Sequence, residues 1–362
     1  MNPALAVASE LRRLNPDAGI LFVGSGRDLE NRLIPGAGFD LVNIKMSGFA
    51  RGVTPDKFYR NIKTAKNLMT AGREAEKLIC GFRPDAAIGT GGYICYPILK
   101  KASEAGIPTF IHESNAIPGL TTKLLSAVVD KVLVSFPGLE RLYRRPERVL
   151  LTGTPVRGEF EDALKDGNSP QLDGKPLIVS FWGSLGAELM NEVMADFIKL
   201  NVDSGHFRHI HATGKSGGAE SMRNKLKRLG AAGDLPAGID IREYIYDMPL
   251  AMAAADVVLC RAGASTIAEL ALMGKPAVLV PSPFVANNHQ VENAKQIQKA
   301  GGAIMLMEKK CTGASLYETV FSLLKDRDKL KRMSEAQKSI ATPGAAERIA
   351  KLVVAGAGKM TL

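Results

Sequence analysis

Short apolar runs alternate with longer helical patterns along the whole chain. Ala18 to Val23 reads as a strand, as do Ala86 to Ile88, Thr109 to His112, Lys131 to Val134 and Val149 to Leu151. A second series comprises Leu177 to Phe181, His209 to Ala212, Val257 to Cys260, Ala277 to Val280 and Ile304 to Met307. Runs this short, continuous and apolar predict strands buried on both faces, that is, parallel sheets covered by helices. The expected fold class is α/β, with two doubly wound domains. The join is expected around 155–176, where Gly, Pro and Asp cluster in Asp166-Gly167-Asn168-Ser169-Pro170. The expected boundaries are 1–155, 156–340 and a C-terminal helix over 341–362 that crosses back to the first domain. In such a pair, ligands bind at the carboxyl ends of the strands, in the cleft between the domains.

A doubly wound domain ordinarily opens with a strand, a Gly-rich turn and then a helix. Here the helical pattern comes first, from Pro3 to Leu14, with proline at a normal helix start.

Length and charge narrow the class of function. At roughly 100–200 residues per domain, 362 residues fit two domains. A net charge of +10, from 47 basic and 37 acidic residues, favours an anionic partner: a phosphorylated substrate, nucleic acid or an acidic membrane surface. Only 6% of residues are aromatic and none interleave with basic runs, which argues against nucleic acid. Cys80, Cys95, Cys260 and Cys311 form no C-x-x-C pair, which fits a reduced, cytosolic setting. No stretch reaches the ~20 apolar residues of a membrane span, and Met1 to Leu5 lacks the features of a signal peptide. The expectation is a cytoplasmic protein that is free to lie against a membrane.

Three Gly-rich turns follow predicted strands: Thr90-Gly91-Gly92-Tyr93, Gly183-Ser184-Leu185-Gly186-Ala187 and Arg261-Ala262-Gly263-Ala264-Ser265-Thr266. Glycine lets backbone approach a ligand, and a helix N-terminus offers free N–H groups and the positive end of its dipole. One such turn is also what any tight strand-to-helix connection needs; three together suit a diphosphate. Glu269 follows Thr266 by three residues and has two readings: a capping box with Thr266, or a carboxylate that accepts from a ribose diol. Gly214-Lys215-Ser216 is no P-loop, because His209 stands where the first glycine belongs. Asp326-Arg327-Asp328 has D-x-D spacing but sits in a charged helical stretch and reads as surface. His209 and His211 have no further ligand at metal spacing, so no metal site is expected. His112 ends a strand, where catalytic and structural histidines are equally at home. Lys57 to Arg73 is helical in period. Phe58, Ile62, Ala65 and Met69 share one face, among Lys57, Arg60, Lys63, Lys66 and Arg73. That face either packs into a core or docks on anionic lipid.

Taken together, these segments resemble glycosyltransferase family 28, and within it the peptidoglycan enzymes that convert lipid I to lipid II. The resemblance covers essentially the whole chain. It rests on Asn2-Pro3-Ala4-Leu5-Ala6, Ser47-Gly48, Thr90-Gly91-Gly92-Tyr93, His112-Glu113-Ser114-Asn115-Ala116-Ile117-Pro118-Gly119 and Gly153-Thr154-Pro155-Val156-Arg157. It continues through the Gly183 turn, Asp256 to Glu269, and Pro281 to Asn293. The resemblance implies the GT-B fold, two facing Rossmann-like domains, with UDP-N-acetylglucosamine (UDP-GlcNAc) held by the C-terminal one. Ser184 and the glycines around it, Gly183 and Gly186, would touch the diphosphate. Ile245 would meet uracil through its backbone, and Ala264, Ser265 and Thr266 would line the phosphate and sugar site. Glu269 would hold the ribose and Gln290 the sugar, while Asn115 and Arg157 would face the cleft. Gly91, Gly92 and Tyr93 would form the acceptor-side turn. Phe58, Arg60, Ile62, Lys63, Lys66 and Met69 would form the membrane patch.

The reaction implied is a single inverting displacement by the muramoyl C4 hydroxyl on the anomeric carbon, with UDP leaving. A general base takes the hydroxyl proton, and helix N-termini stabilise the leaving diphosphate without a metal cofactor. The expected partners are UDP-GlcNAc, undecaprenyl-linked lipid I, the anionic cytoplasmic face of the cell membrane, and a homodimer or cell-wall synthesis complex. Two departures stand out. The family's first motif, a Gly-rich loop ending in His, would precede Asn2-Pro3, and no His occurs before His112. The expectation is a start roughly 12–16 residues upstream, enough for one strand and its turn. As written, the chain is expected to bind donor weakly and turn over poorly, with His112 the substitute base. The second departure is Trp182, where the family usually has Gly; its ring either crowds the phosphate turn or packs on the sheet. The competing readings are a transferase to another lipid such as diacylglycerol, a non-catalytic UDP-sugar binder and, more distantly, a nicotinamide dehydrogenase.

Overall fold

The computed structural model describes residues 1–44, 46, 70–165, 174–183, 186–215, 218–230 and 235–358. The sequence-predicted membrane patch (Phe58, Arg60, Ile62, Lys63, Lys66 and Met69), the Ser47-Gly48 turn and Ser184 lie outside the described residues. The chain divides into two compact units, Met1–Arg157 with Pro343–Leu362, and Gly158–Thr342.

In the first unit, α1 (Asn2–Leu14), β1 (Leu21–Gly24), α2 (Asp28–Gly36) and β2 (Asp40–Asn43) come first. After α3 (residues 70–82) follow β3 (Ala87–Gly89), α4 (Cys95–Glu104), β4 (Thr109–Glu113), α5 (Leu120–Leu125), β5 (Lys131–Val134) and β6 (Val149–Leu151). All described pairings are parallel. They form two separate sheets, β1-β2 and β3-β4-β5-β6. The interior strands β4 and β5 are buried on both faces, with Ile111, Val132, Leu133 and Val134 fully enclosed, as a helix-covered parallel sheet requires.

The second unit holds α6 (Gly158–Lys165), β7 (Leu177–Phe181), α7 (Glu188–Ser204), β8 (Arg208–Ala212), α8 (Ala219–Arg228), β9 (Ile239–Arg242) and α9 (Met248–Ala254). It continues with β10 (Val257–Cys260), α10 (Ala264–Met273), β11 (Ala277–Leu279), α11 (His289–Ala300), β12 (Ala303–Met305), α12 (Gly313–Lys325) and α13 (Arg327–Ile340). The sheet order is β12-β11-β10-β7-β8-β9, all parallel. Chain order therefore reverses between β7 and β10, the doubly wound arrangement. The last helix, α14 (Ala345–Gly356), belongs to the first unit. There Ile349 and Val353 pack with Val7 of α1 and with Phe110 and Leu133 of the sheet. A Cβ at Gly356 would fall 2.6 Å from the Phe110 ring, so only glycine lets α14 lie this close to β4.

Strands β2 and β9 were not anticipated. Each lies at a sheet edge. Asp40-Leu41-Val42-Asn43 and Ile239-Asp240-Ile241-Arg242 mix polar with apolar positions, whereas the strands read from sequence were continuous apolar runs. Asp326 of the D-x-D sequence caps α13, accepting from the Lys329 N–H at 2.9 Å.

The centre of the second sheet contains a buried polar triad. Ser180 Oγ lies 2.7 Å from both His209 Nε2 and His211 Nδ1, and all three side chains are fully enclosed. Burial holds both imidazoles below the ordinary histidine range, His211 down to about 3. The folded state thus binds fewer protons than the unfolded chain, whose histidines titrate near 6.5. The stability this contributes is complete above about pH 6.5 and is lost as pH falls from there toward 3. Urea midpoints measured at pH 7.0, 5.5 and 4.5 should fall steadily, and a His209→Gln/His211→Gln variant should show a shallower decline. Equal slopes in the two proteins would contradict this assignment.

Candidate functional site

In the second unit the candidate site forms where the strand order reverses. Phe181 and Cys260 are register partners at the ends of β7 and β10, so the turns that follow these strands start side by side. Gly183 and Gly186 both have positive φ, 96° and 78°, which a side chain would strain. The Gly186 N–H closes the turn on the Gly183 carbonyl at 2.9 Å, ahead of α7.

After β10, Arg261-Ala262-Gly263 leads into α10, with Gly263 as N-cap at φ −69° and ψ 140°. The first intrahelical bond runs from Ile267 N to Gly263 O. The N–H groups of Ala264, Ser265 and Thr266 therefore stand at the positive end of the helix, without i−4 partners. This corrects the capping-box reading of Thr266. The helix begins at Ala264, because extended Gly263 takes the cap, and Thr266 sits at the third helical position. Glu269 lies one turn further along the same face, half-buried. Its charge, after burial, is the second influence that raises the Cys260 thiol.

Several side chains brace this turn. Asn293, fully buried on α11, donates to the Ala262 carbonyl at 3.2 Å. Arg261 donates to the Val280 carbonyl at 3.1 Å and forms an ion pair with Glu308. The side chains of that pair are 11% and 6% exposed. Trp182 is 3% exposed, packs in the core with Ile178 and Met190, and its ring lies 5.8 Å from the Arg261 guanidinium. Of its two readings the structure takes packing on the sheet.

Gln290, on the first turn of α11, accepts from the Ser282 N–H at 2.9 Å and so pins the loop after β11. Asn287 and Asn288 turn that loop in left-handed conformations, φ 54° and 50°. The Ile245 side chain is 2% exposed, in the β9–α9 loop. Arg261, Asn293 and Glu308 escaped the sequence reading. Arg261 and Asn293 lay inside motifs singled out for their neighbours, while the Arg261–Glu308 pairing spans strands distant in sequence.

In the first unit the polar residues gather at the carboxyl ends of β3, β4 and β5. Gly91 and Gly92 take φ 94° and 87°, and the Gly91 carbonyl lies 3.0 Å from Cys95 Sγ. Burial pushes that thiol up to about 11. The Tyr93 ring sits 5.8 Å from the Arg27 guanidinium. His112 is 1% exposed, with Nε2 2.9 Å from the Gly153 carbonyl and Nδ1 3.2 Å from Ser114 Oγ. A carbonyl only accepts, so Nε2 carries the proton and Nδ1 accepts from Ser114. Burial lowers the affinity of the ring for a second proton. Both nitrogens are committed and enclosed, which fits a structural histidine.

The organiser of the neighbouring loop is Glu113, 5% exposed. Its Oε1 accepts from the backbone N–H and side-chain amide of Asn115, at 3.1 and 3.0 Å. Its Oε2 accepts from Gly119 N and Thr122 Oγ1, both at 2.8 Å. One carboxylate thus folds residues 114–119 back onto the strand end and orients Asn115. Arg157 closes the first unit, remote in sequence from that loop. Among the described residues no group of three or more His, Cys, Asp or Glu is placed to hold a metal ion, and no helix is long and apolar enough to cross a membrane.

Residues 1–134 match the glycosyltransferase family 28 N-terminal domain, and 177–349 match the family 28 C-terminal domain. The chain is 40% identical over 356 residues to the UDP-N-acetylglucosamine--N-acetylmuramyl-(pentapeptide) pyrophosphoryl-undecaprenol N-acetylglucosamine transferase of Acetivibrio thermocellus, covering 98% of this chain and 94% of that protein. It is 40% identical over 354 residues to the protein of the same name from Thermoanaerobacter sp., covering 97% and 95%. In structure it is similar to Acinetobacter baumannii MurG, with a TM-score of 0.74 and 27% identity over 97% of this chain and 94% of that one.

Proposed function

The chain belongs to glycosyltransferase family 28, and we propose that it transfers N-acetylglucosamine from UDP-GlcNAc to the C4 hydroxyl of undecaprenyl-diphospho-muramoyl-pentapeptide, forming lipid II for peptidoglycan. The observation that supports this most is the pair of glycine turns side by side at the ends of β7 and β10, with the α10 N-terminus beside them. Backbone N–H groups there meet the donor diphosphate and stabilise the charge that grows on it as UDP leaves, so the chemistry needs no metal cofactor. Gly183 and Gly186 supply one turn, and Ala264, Ser265 and Thr266 supply the other; Ser184 is assigned to the diphosphate from its motif alone. Glu269 accepts from the ribose diol, Gln290 orients the sugar-side loop, and the Ile245 backbone meets the base.

Asn115, held by Glu113, and Arg157 act from the first unit, as do Gly91, Gly92 and Tyr93 on the acceptor side. The proton acceptor is a group other than His112. The net charge of +10 and the basic-apolar pattern of Phe58, Arg60, Ile62, Lys63, Lys66 and Met69 support docking on the anionic cytoplasmic leaflet.

The direct test is transfer of labelled N-acetylglucosamine to a lipid I analogue, by this chain and by one with a Gly-rich His loop ahead of Met1. Vesicles of anionic and of neutral lipid carry the acceptor. Transfer that is faster on anionic vesicles and weakened by salt is expected. Transfer to diacylglycerol instead, or UDP-GlcNAc binding without transfer by either protein, would overturn the reading. Glu269→Ala should raise the KM for UDP-GlcNAc about 10–100-fold, the worth of hydrogen bonds to a charged acceptor. An unchanged KM would remove Glu269 from the donor site.

A further inference from the structure

The three residues that join β1 to α2, Ser25, Gly26 and Arg27, are held by side chains on both flanking elements. Glu30 Oε2 accepts from the Ser25 N–H and Oγ at 2.8 and 3.0 Å, and from the Arg27 N–H at 3.4 Å. Asn43 Oδ1, at the end of β2, accepts from the Gly26 N–H at 3.0 Å. Asn43 Nδ2 donates in turn to Asn31 Oδ1 at 2.8 Å, and Asn31 Nδ2 to the Gly26 carbonyl at 3.4 Å. All three loop N–H groups thus end on side chains, which fixes the backbone that carries Arg27. A Cβ at Gly24 would fall 2.8 Å from Asn43 Oδ1, so glycine ends β1 where these side chains close in.

What this loop presents is the Arg27 side chain. It is exposed, and among the described residues it forms no ion pair. Its guanidinium lies 5.8 Å from the centre of the Tyr93 ring, inside the ~6 Å over which a ring face attracts a cation. Tyr93 belongs to the turn after β3, so the contact brings a cation from the carboxyl end of β1 over the turn at the carboxyl end of β3. That turn is bare. A Cβ on Gly91 or Gly92 would meet nothing within 4 Å, and among the described residues the Gly92 and Tyr93 N–H groups have no acceptor.

We propose that Arg27 is a specificity-determining residue for the acceptor, and that it binds the diphosphate joining the muramoyl sugar to its lipid. The inference rests on the reading in which the Gly91-Gly92-Tyr93 turn faces the acceptor, and it names a side chain that this reading leaves out. A guanidinium offers two parallel N–H donors to one phosphate edge. A diphosphate has oxygens enough to accept from that fork and from the Gly92 and Tyr93 N–H groups together, whereas a carboxylate has two. Contact with the Tyr93 ring and the fixed loop backbone hold the fork ready, which reduces the ordering cost of binding. The role is binding rather than chemistry: the diphosphate keeps its charge throughout the transfer, so Arg27 holds ground state and transition state alike. Its loss should raise the KM for the acceptor and leave kcat in place.

The test measures binding by calorimetry, apart from transfer, for the full chain and its Arg27→Ala and Arg27→Lys variants. The ligands are farnesyl-diphospho-MurNAc-pentapeptide, the same molecule without its peptide, and UDP-GlcNAc. Both substitutions leave the loop bonds intact, since those involve the Arg27 backbone alone, and urea midpoints should match the parent. Arg27→Ala should weaken both farnesyl ligands by about 10–100-fold, the worth of one or two hydrogen bonds to a charged group. Arg27→Lys should weaken them less, because an ammonium keeps the charge without the fork. UDP-GlcNAc affinity should not change. Unaltered farnesyl-ligand binding by Arg27→Ala overturns the proposal, as does failure of the parent chain to bind either farnesyl ligand. A loss confined to the peptide-bearing ligand also overturns it, and assigns Arg27 to a peptide carboxylate. An equal loss for UDP-GlcNAc overturns it as general damage to the protein. Failure of the proposed transfer is seen separately, as labelled sugar on a different lipid, while the dependence of diphosphate binding on Arg27 is read without any turnover.

Discussion

Replacing Glu113 with alanine should lower stability by about 2–4 kcal/mol and reduce the transfer rate at saturating UDP-GlcNAc by about 100-fold. The first figure follows from four donors that converge on one buried carboxylate. Bonds to an ionised acceptor are worth about 1.5–3 kcal/mol each, and losing the carboxylate also removes its own desolvation penalty. Thr122 is enclosed and has no water to turn to; Asn115 and Gly119 are half-buried and partly recover. The second figure follows from position: without Glu113, Asn115 is no longer held, and about 1 Å of misplacement in a positioning group costs on the order of 10²-fold. Glu113→Gln should fall nearly as far, because its amide nitrogen points a donor at donors. Urea unfolding and the lipid I assay check both halves. If stability falls while turnover holds, the 114–119 loop serves the fold alone.

Glu308→Ala should destabilise the second unit by about 3–5 kcal/mol, since it leaves the Arg261 guanidinium buried without its carboxylate. Arg261 opens the turn that leads to Gly263 and α10, so donor affinity should fall as well. Two properties separate this from an ordinary cavity. Arg261→Met/Glu308→Met should recover most of the lost stability, because an apolar pair of similar volume often equals or exceeds a buried ion pair. Arg261→Met alone should be costly for the opposite reason, leaving Glu308 uncompensated. Denaturation of the two single variants and the double variant gives the coupling directly. Additive effects would mean that the two groups stabilise the unit independently.

The parts of this molecule legible in its sequence are those whose cause is local. Short, mostly apolar runs gave β5, β6, β7 and β10 to the residue, because strands packed under helices are built mainly of apolar side chains. β2 and β9 escaped because Asp40, Asn43, Asp240 and Arg242 break up their apolar runs. A cap at Thr266 was one of two readings that spacing left open, while the backbone of Gly263 decides where α10 starts. His112 stood open between two roles until its partners were known, and those, Gly153 and Ser114, lie on different segments. Trp182 was undecided for the same reason: its place depends on Arg261 and the core behind β7. Glu113 was visible as a residue but not as an organiser, since Gly119 and Thr122 become its donors only once α5 folds back.

The return of α14 to the first unit has a consequence for synthesis on the ribosome. Val7, Phe110 and Leu133 share a core with Ile349 and Val353, and the whole second unit lies between them in the chain. At about 5–20 residues per second, residues 158–342 take roughly 10–40 s to emerge. For that interval the apolar faces of α1 and β4 are without their covering helix. The second unit is continuous in sequence and can close on itself first. The half of the protein made earliest is thus the half completed last, and this nascent interval is when a chaperone that shields apolar surface has most to protect.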